Sequence, residues 1–242
     1  MRVYRVPDYN AMSRKAANLL SAHIILDPDC TVGLATGSTP LGMYGQLVEW
    51  YGKGDIDFSG VTFYNLDEYV GIAKDDPNSY GYFMNENLFR HINAKKSRIN
   101  IPDGMAADLA AECRRYDAII SGHPIGVQVL GIGHDGHIGF NEPGAAFETG
   151  THVVELARAT RTANSRFFSS PDEVPERAIT MGVKNILQSK RILLLVSGAD
   201  KSDILARALH GPVTPEVPAS ILQLHGDVII VGDEAALKRI CI

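Results

Sequence analysis

Short runs at 125–130 (IGVQVL), 191–196 (RILLLV) and 228–231 (VIIV) are apolar at nearly every position, without the polar alternation of a strand that shows one face to water. Strands that read this way are covered on both faces, and the usual cover is a layer of helices on each side of a parallel sheet. Segments with helical spacing lie between the runs, so the chain alternates strand with helix, and the pattern predicts an α/β fold with a mostly parallel, Rossmann-like sheet and helices on both faces. No repeat, low-complexity tract or linker interrupts it, and residues 1–242 are taken as one domain.

In chain order, strands are predicted at 3–6, 31–35, 61–65, 99–101, 151–156, 191–196 and 228–231, besides the run ending at Leu130. Helices are predicted at 9–24, 41–50 with Pro40 at its first turn, 78–92, 106–120, 178–187, 202–209 and 234–240. The three prolines at 212, 215 and 218 make an irregular connection before a short helical turn at 219–222.

Folds of this class bind ligands beyond the C-terminal ends of their strands, and each polar cluster in the chain follows a predicted strand. The most concentrated is LGIGHDGHIGFNEP at 130–143, where glycines force a loop and Asp135, His137 and Glu142 fall close together. A histidine between two carboxylates has the parts of an acid/base catalyst, a group titrating near neutrality and partners that fix its tautomer. Thr36, Gly37, Ser38 and Thr39 enter a helix after the strand at 31–35, so exposed amides and small hydroxyls could cradle a phosphate. Arg166 and Lys201 could add the positive charge that neutral donors lack. Asp67 and Glu68 end a buried-type strand, a position from which a carboxylate can reach a carbon-bound proton directly. Each cluster alone also reads as an ordinary turn, a capped helix start or solvated surface acid; their convergence on one edge of the sheet makes the site.

Several classes drop out. The GxxxxGK[ST] spacing of a nucleoside-triphosphate loop is missing, no GxGxxG joins the first strand to its helix, and no GxSxG is present. His134 and His137 with nearby acids match no metal signature, so neither a metal nor a cofactor is expected. The net charge of −5 argues against nucleic acid as the main partner. Three scattered cysteines, no apolar leader and no run approaching a membrane span give the expectation of a cytoplasmic protein without a membrane partner.

Taken together, TGSTP at 36–40, NLDEY at 65–69, DPNSY at 76–80, GIGxDGHIGFNEP at 131–143, TRTANSRFF at 160–168 and the strand, SG and lysine run at 191–201 resemble the glucosamine-6-phosphate deaminases. The matches span almost the whole chain in order. The resemblance implies opening of the glucosamine 6-phosphate ring, isomerisation through an enolamine and loss of ammonia to give fructose 6-phosphate. It implies Asp67 as the base between C2 and C1, and His137 as the ring-opening group with Asp135 and Glu142 beside it. The phosphate contacts would fall on residues 36–39, Arg166 and Lys201. The alternatives carried are a 6-phosphogluconolactonase, a galactosamine-6-phosphate deaminase/isomerase and a non-catalytic sugar-phosphate regulator.

The chain departs from the hexameric, allosterically activated members after NEP. Where those carry a serine and then a basic pair with a threonine, this chain has AAFETGTHVVEL at 145–156, with Ala145, His152, Val154 and Glu155. An acidic residue disfavours a phosphate, so activation by N-acetylglucosamine 6-phosphate is not expected, and both a monomer and a homo-oligomer stay open.

Overall fold

The computed structural model describes residues 1–240 except 166, 167, 169, 171 and 172. Seven strands form one wholly parallel sheet: β1 (Arg2–Val6), β2 (Thr31–Leu34), β3 (Thr62–Asn65), β5 (Ile99–Asn100), β6 (Val127–Leu130), β9 (Arg191–Val196) and β10 (Val228–Asp233). Their spatial order is β1-β10-β9-β6-β2-β3-β5. The apolar runs are two-sided, as their composition requires. On β9, Leu193 and Leu195 enter the core that holds Met12, Leu20 and Leu47, while Ile192 and Leu194 enter the opposite core with Ile204 and Leu205.

The helices begin where the sequence supplies caps. Asp8 accepts the Ala11 amide at 2.8 Å to start α1 (Tyr9–Leu26), and Asp108 accepts the Ala111 amide at 2.9 Å to start α4 (Leu109–Gly122). Ser79 does the same for α3 (Tyr80–Asn87) through the Tyr82 amide at 2.9 Å. The start of α2 (Leu41–Gly52) differs, because its cap position is Pro40, whose side chain offers no acceptor. Helix α7 (Ser202–His210) follows β9.

Three strands stand apart from the parallel sheet. β4 (Asp67–Tyr69), β7 (His152–Glu155) and β8 (Arg177–Thr180) form an antiparallel sheet in the order β4-β8-β7, with Asp67 opposite Thr180. Helix α5 (Arg158–Asn164) lies between β7 and β8 in the chain. The helix predicted over 178–187 is therefore corrected: residues 177–180 are strand, Gly182 is the turn, and only α6 (Val183–Leu187) is helical. Pairing on both sides, with β4 and β7, outweighs the helical spacing of Ala178, Ile179 and Met181. The helix predicted over 234–240 is a series of turns closed by bonds from Leu237 to Asp233 and from Ile240 to Leu237. The predicted helix over 78–92 ends at Asn87, with a separate 3₁₀ turn at Phe89–His91.

Candidate active site

The loops after β2, β3, β6 and β9 converge on one cavity of about 320 Å³, a volume suited to a small ligand. Thr36, Gly37, Ser38 and Thr39 form one part of its wall, and Asp67, His137 and Lys201 line it as well. Lys201 donates from Nζ to the Ile132 carbonyl at 3.0 Å, tying the β9 loop to the β6 loop. Asp135 stands one step behind the cavity and Glu142 is also outside its wall. Arg166 lies outside the described residues.

Asp67 and Glu68 are adjacent and both buried, yet their surroundings are opposite. Glu68 accepts the amides of Tyr69, Tyr80 and Gly81 at 2.8, 2.9 and 2.8 Å, so its carboxylate fastens the start of α3 to β4. Burial raises its pKa and the three amides pull it back. Asp67 has no such support. Its Oδ1 is buried with no hydrogen-bond partner among the described residues, and burial, reinforced by the charge of Glu68, pushes its pKa up to about 8. An unpartnered buried carboxyl on a cavity wall is costly, and such groups concentrate where a proton is moved.

His137 is oriented by Asp135: its Nδ1 stands 2.7 Å from Asp135 Oδ1, and the His137 amide donates to the same oxygen at 3.1 Å. The histidine holds the Asp135 carboxyl down to about 2. The imidazole packs on the backbone of Gly133, where a Cβ would stand 2.2 Å from its Cε1, so only glycine permits this seat. Glu142 makes bonds of its own: its carboxylate accepts the Thr160 hydroxyl at 2.5 Å and the Ala157 amide at 3.1 Å, joining the loop to the start of α5.

Sequence reasoning missed the aromatic wall. Tyr69, Tyr80, Phe140 and Phe168 line the cavity, with Tyr80 stacked on Phe140 at 6.0 Å between centroids and Tyr69 packed on Tyr80 at 4.6 Å. Their hydroxyls meet: Asn164 donates to Tyr69 at 3.0 Å and Tyr80 donates to Tyr69 at 3.1 Å. Tyr69 and Tyr80 stand inside motifs already singled out, NLDEY and DPNSY, but tyrosine spacing in the sequence carries no sign that the hydroxyls meet.

A parallel α/β sheet whose strand-end loops bring an amide-rich turn, a buried carboxyl and an oriented histidine to one cavity defines a class of enzyme that handles phosphorylated sugars. The chain belongs to the family of glucosamine-6-phosphate isomerases and 6-phosphogluconolactonases, whose sequence pattern matches residues 9–230. It is 56% identical, over 96% of its length and 98% of the relative, to a glucosamine-6-phosphate deaminase of Lachnoclostridium phytofermentans. It is 51% identical to that of Clostridioides difficile, over 99% of this chain and 97% of the relative. The solved structure of a monomeric glucosamine-6-phosphate deaminase superposes with a TM-score of 0.96 at 47% identity, covering 98% of this chain and 99% of that one. A 6-phosphogluconolactonase from Leishmania guyanensis, at 19% identity and a TM-score of 0.75 over 100% of this chain and 99% of that one, shares the fold.

Proposed function

We infer that the protein converts glucosamine 6-phosphate and water to fructose 6-phosphate and ammonia. The observation that carries the reading is Asp67, a buried carboxyl without a partner, in one cavity with the loop at 36–39. Lactone hydrolysis needs an activated water and no carbon base, whereas an aldose-to-ketose shift needs a base within direct reach of C2.

In this reading the 36–39 amides and Lys201 hold the phosphate, and that remote binding energy sets C2 against Asp67. His137, oriented by Asp135, takes the anomeric hydroxyl proton and gives a proton to the ring oxygen, so that the C1–O5 bond breaks and the open-chain aldehyde forms. Asp67 then takes the C2 proton and returns it at C1, so the enolamine becomes a ketimine that water hydrolyses to ketose and ammonia. Glu142 holds α5, and with it Thr160 and Asn164, against the cavity.

The test is release of ammonia and fructose 6-phosphate in equal amounts from glucosamine 6-phosphate by purified protein in the presence of a chelator. Turnover of 6-phosphogluconolactone without deamination would overturn the reading. A monomer that needs no activator fits the same picture: β7 presents a half-buried His152 whose Nδ1 is 3.0 Å from the Gly150 carbonyl, and an exposed Glu155, in place of an anion site.

A further inference from the structure

The loop that carries Thr36 to Thr39 is braced from outside the cavity by two phenols. Tyr44, on α2 itself, donates to the Ala35 carbonyl at 2.5 Å and fixes the loop's entry. Tyr9, the first residue of α1, does two things at its exit: its hydroxyl donates to the Ser38 carbonyl at 2.9 Å and accepts the Gly42 amide at 2.9 Å. The second bond supplies what Pro40 lacks, an oxygen for an amide in the first turn of α2.

Gly42 is the residue that lets α1 come this close. A Cβ there would stand 2.3 Å from Ser13 Oγ and 3.2 Å from the Tyr9 ring, so any side chain would push α1 and its phenol away. Ser13 contributes volume alone, since its hydroxyl is buried with no partner among the described residues.

The orientation of one peptide follows. In a trans peptide the carbonyl and the next N–H point in opposite directions. With the Ser38 carbonyl turned out to Tyr9, the Thr39 amide points away from Tyr9; Tyr9 is not part of the cavity wall, and Thr39 is. If the peptide rotated, a carbonyl oxygen would meet the anion where a donor should be.

We propose that Tyr9 is a positioning residue for the phosphate subsite: by bridging the Ser38 carbonyl and the Gly42 amide it holds the 36–39 loop in its anion-binding orientation. This rests on the sugar-phosphate reading of the cavity, and the experiment separates the two. Inorganic phosphate is titrated calorimetrically into the wild type, Tyr9→Phe and Ser13→Ala, and the kinetics of the three proteins on glucosamine 6-phosphate are measured alongside.

Loss of one hydroxyl that serves two backbone groups should weaken phosphate binding by about tenfold. KM should rise by a similar factor with kcat within about twofold, as expected when only binding common to ground and transition states is lost. Ser13→Ala should leave phosphate affinity unchanged. Amide hydrogen exchange supplies a second readout, with Gly42 faster in Tyr9→Phe and its neighbours in α2 unchanged. Phosphate affinity equal to wild type in Tyr9→Phe, or a fall in kcat with KM unmoved, would overturn the proposal. A wild type that binds phosphate but releases no ammonia would overturn the activity and leave the role of Tyr9 to be judged on phosphate alone.

Discussion

The two sheets do different work, and their composition shows it. The parallel sheet is apolar through its middle and buried on both faces, so its strand ends are rigid mounts for the 36–39 loop, the His137 loop and Lys201. The antiparallel sheet is built from DEY, HVVE and RAIT, and it carries polar groups inward. One strand holds Asp67 on the cavity wall. Its neighbour supplies Thr180, whose hydroxyl accepts the Phe140 amide at 3.1 Å, and residue Met181 beyond it, whose carbonyl accepts Asn141 Nδ2 at 2.8 Å. In the proposed reading the parallel sheet therefore mounts the phosphate loop and His137, and the small sheet mounts the carbon base.

The sharpest contrast inside the small sheet is between Asp67 and Glu68, and replacing each should give opposite results. Asp67→Asn should lower kcat by about 10³-fold, within the range for loss of a positioned base. It should also stabilise the protein. The folded pKa of about 8 lies above the ordinary 3.8, so between those values the unfolded chain releases a proton that the folded one keeps. Stability therefore falls as pH rises through that window, and removing the carboxyl removes the penalty. Thermal unfolding should show a Tm gain of about 5 °C at pH 8 that shrinks toward zero near pH 4. The wild-type kcat/KM should rise with pH until Asp67 has lost its proton, near pH 8.

Glu68→Ala should do the reverse. Three amides lose their acceptor, at a cost of about 3 kcal/mol, or a Tm loss of about 6–12 °C. Activity per folded molecule should fall less than about tenfold, because the base itself remains. Equal losses of kcat in both variants would erase the distinction between the two carboxylates. A smaller effect is expected at the join between the sheets: Thr180→Val strands the Phe140 amide and should cost about 1 kcal/mol in denaturant melts, with kcat reduced a few-fold and KM unmoved.

The parallel sheet and its loops were legible because their signals are local. A two-sided apolar run, a glycine-dense loop and a TGSTP turn each occupy a few consecutive residues. Of the small sheet only the strand at 152–155 was, through its alternation; the three strands come from distant stretches, and the middle one, residues 177–180, carries a spacing that also fits a helix. Asp67 was found by its place after a strand, but nothing in NLDEY tells which of two adjacent acids will be satisfied by the α3 amides. The sequence around Glu142 shows its closeness to His137 along the chain, but not its bonds to Ala157 and Thr160, which lie 15 and 18 residues downstream. Tyr9 gave no sign at all, since its value depends on a proline at a helix cap and a glycine two residues later.

The smallest effect expected is none: N-acetylglucosamine 6-phosphate should leave the substrate saturation curve hyperbolic, apart from competition at the cavity. A sigmoidal curve that this ligand makes hyperbolic would point to a second site coupled to the first.

The division of labour between the base and the ring-opening group is tested most directly by solvent-deuterium exchange at C2, followed by NMR on an open-chain substrate analogue. Asp67→Asn, shown first to be folded and to bind phosphate, should exchange no C2 proton above background, while His137→Gln should keep much of the wild-type rate on this analogue and lose it on the cyclic sugar. Normal C2 exchange in Asp67→Asn, with His137→Gln equally impaired on both substrates, would contradict the assignment of Asp67 as the carbon base.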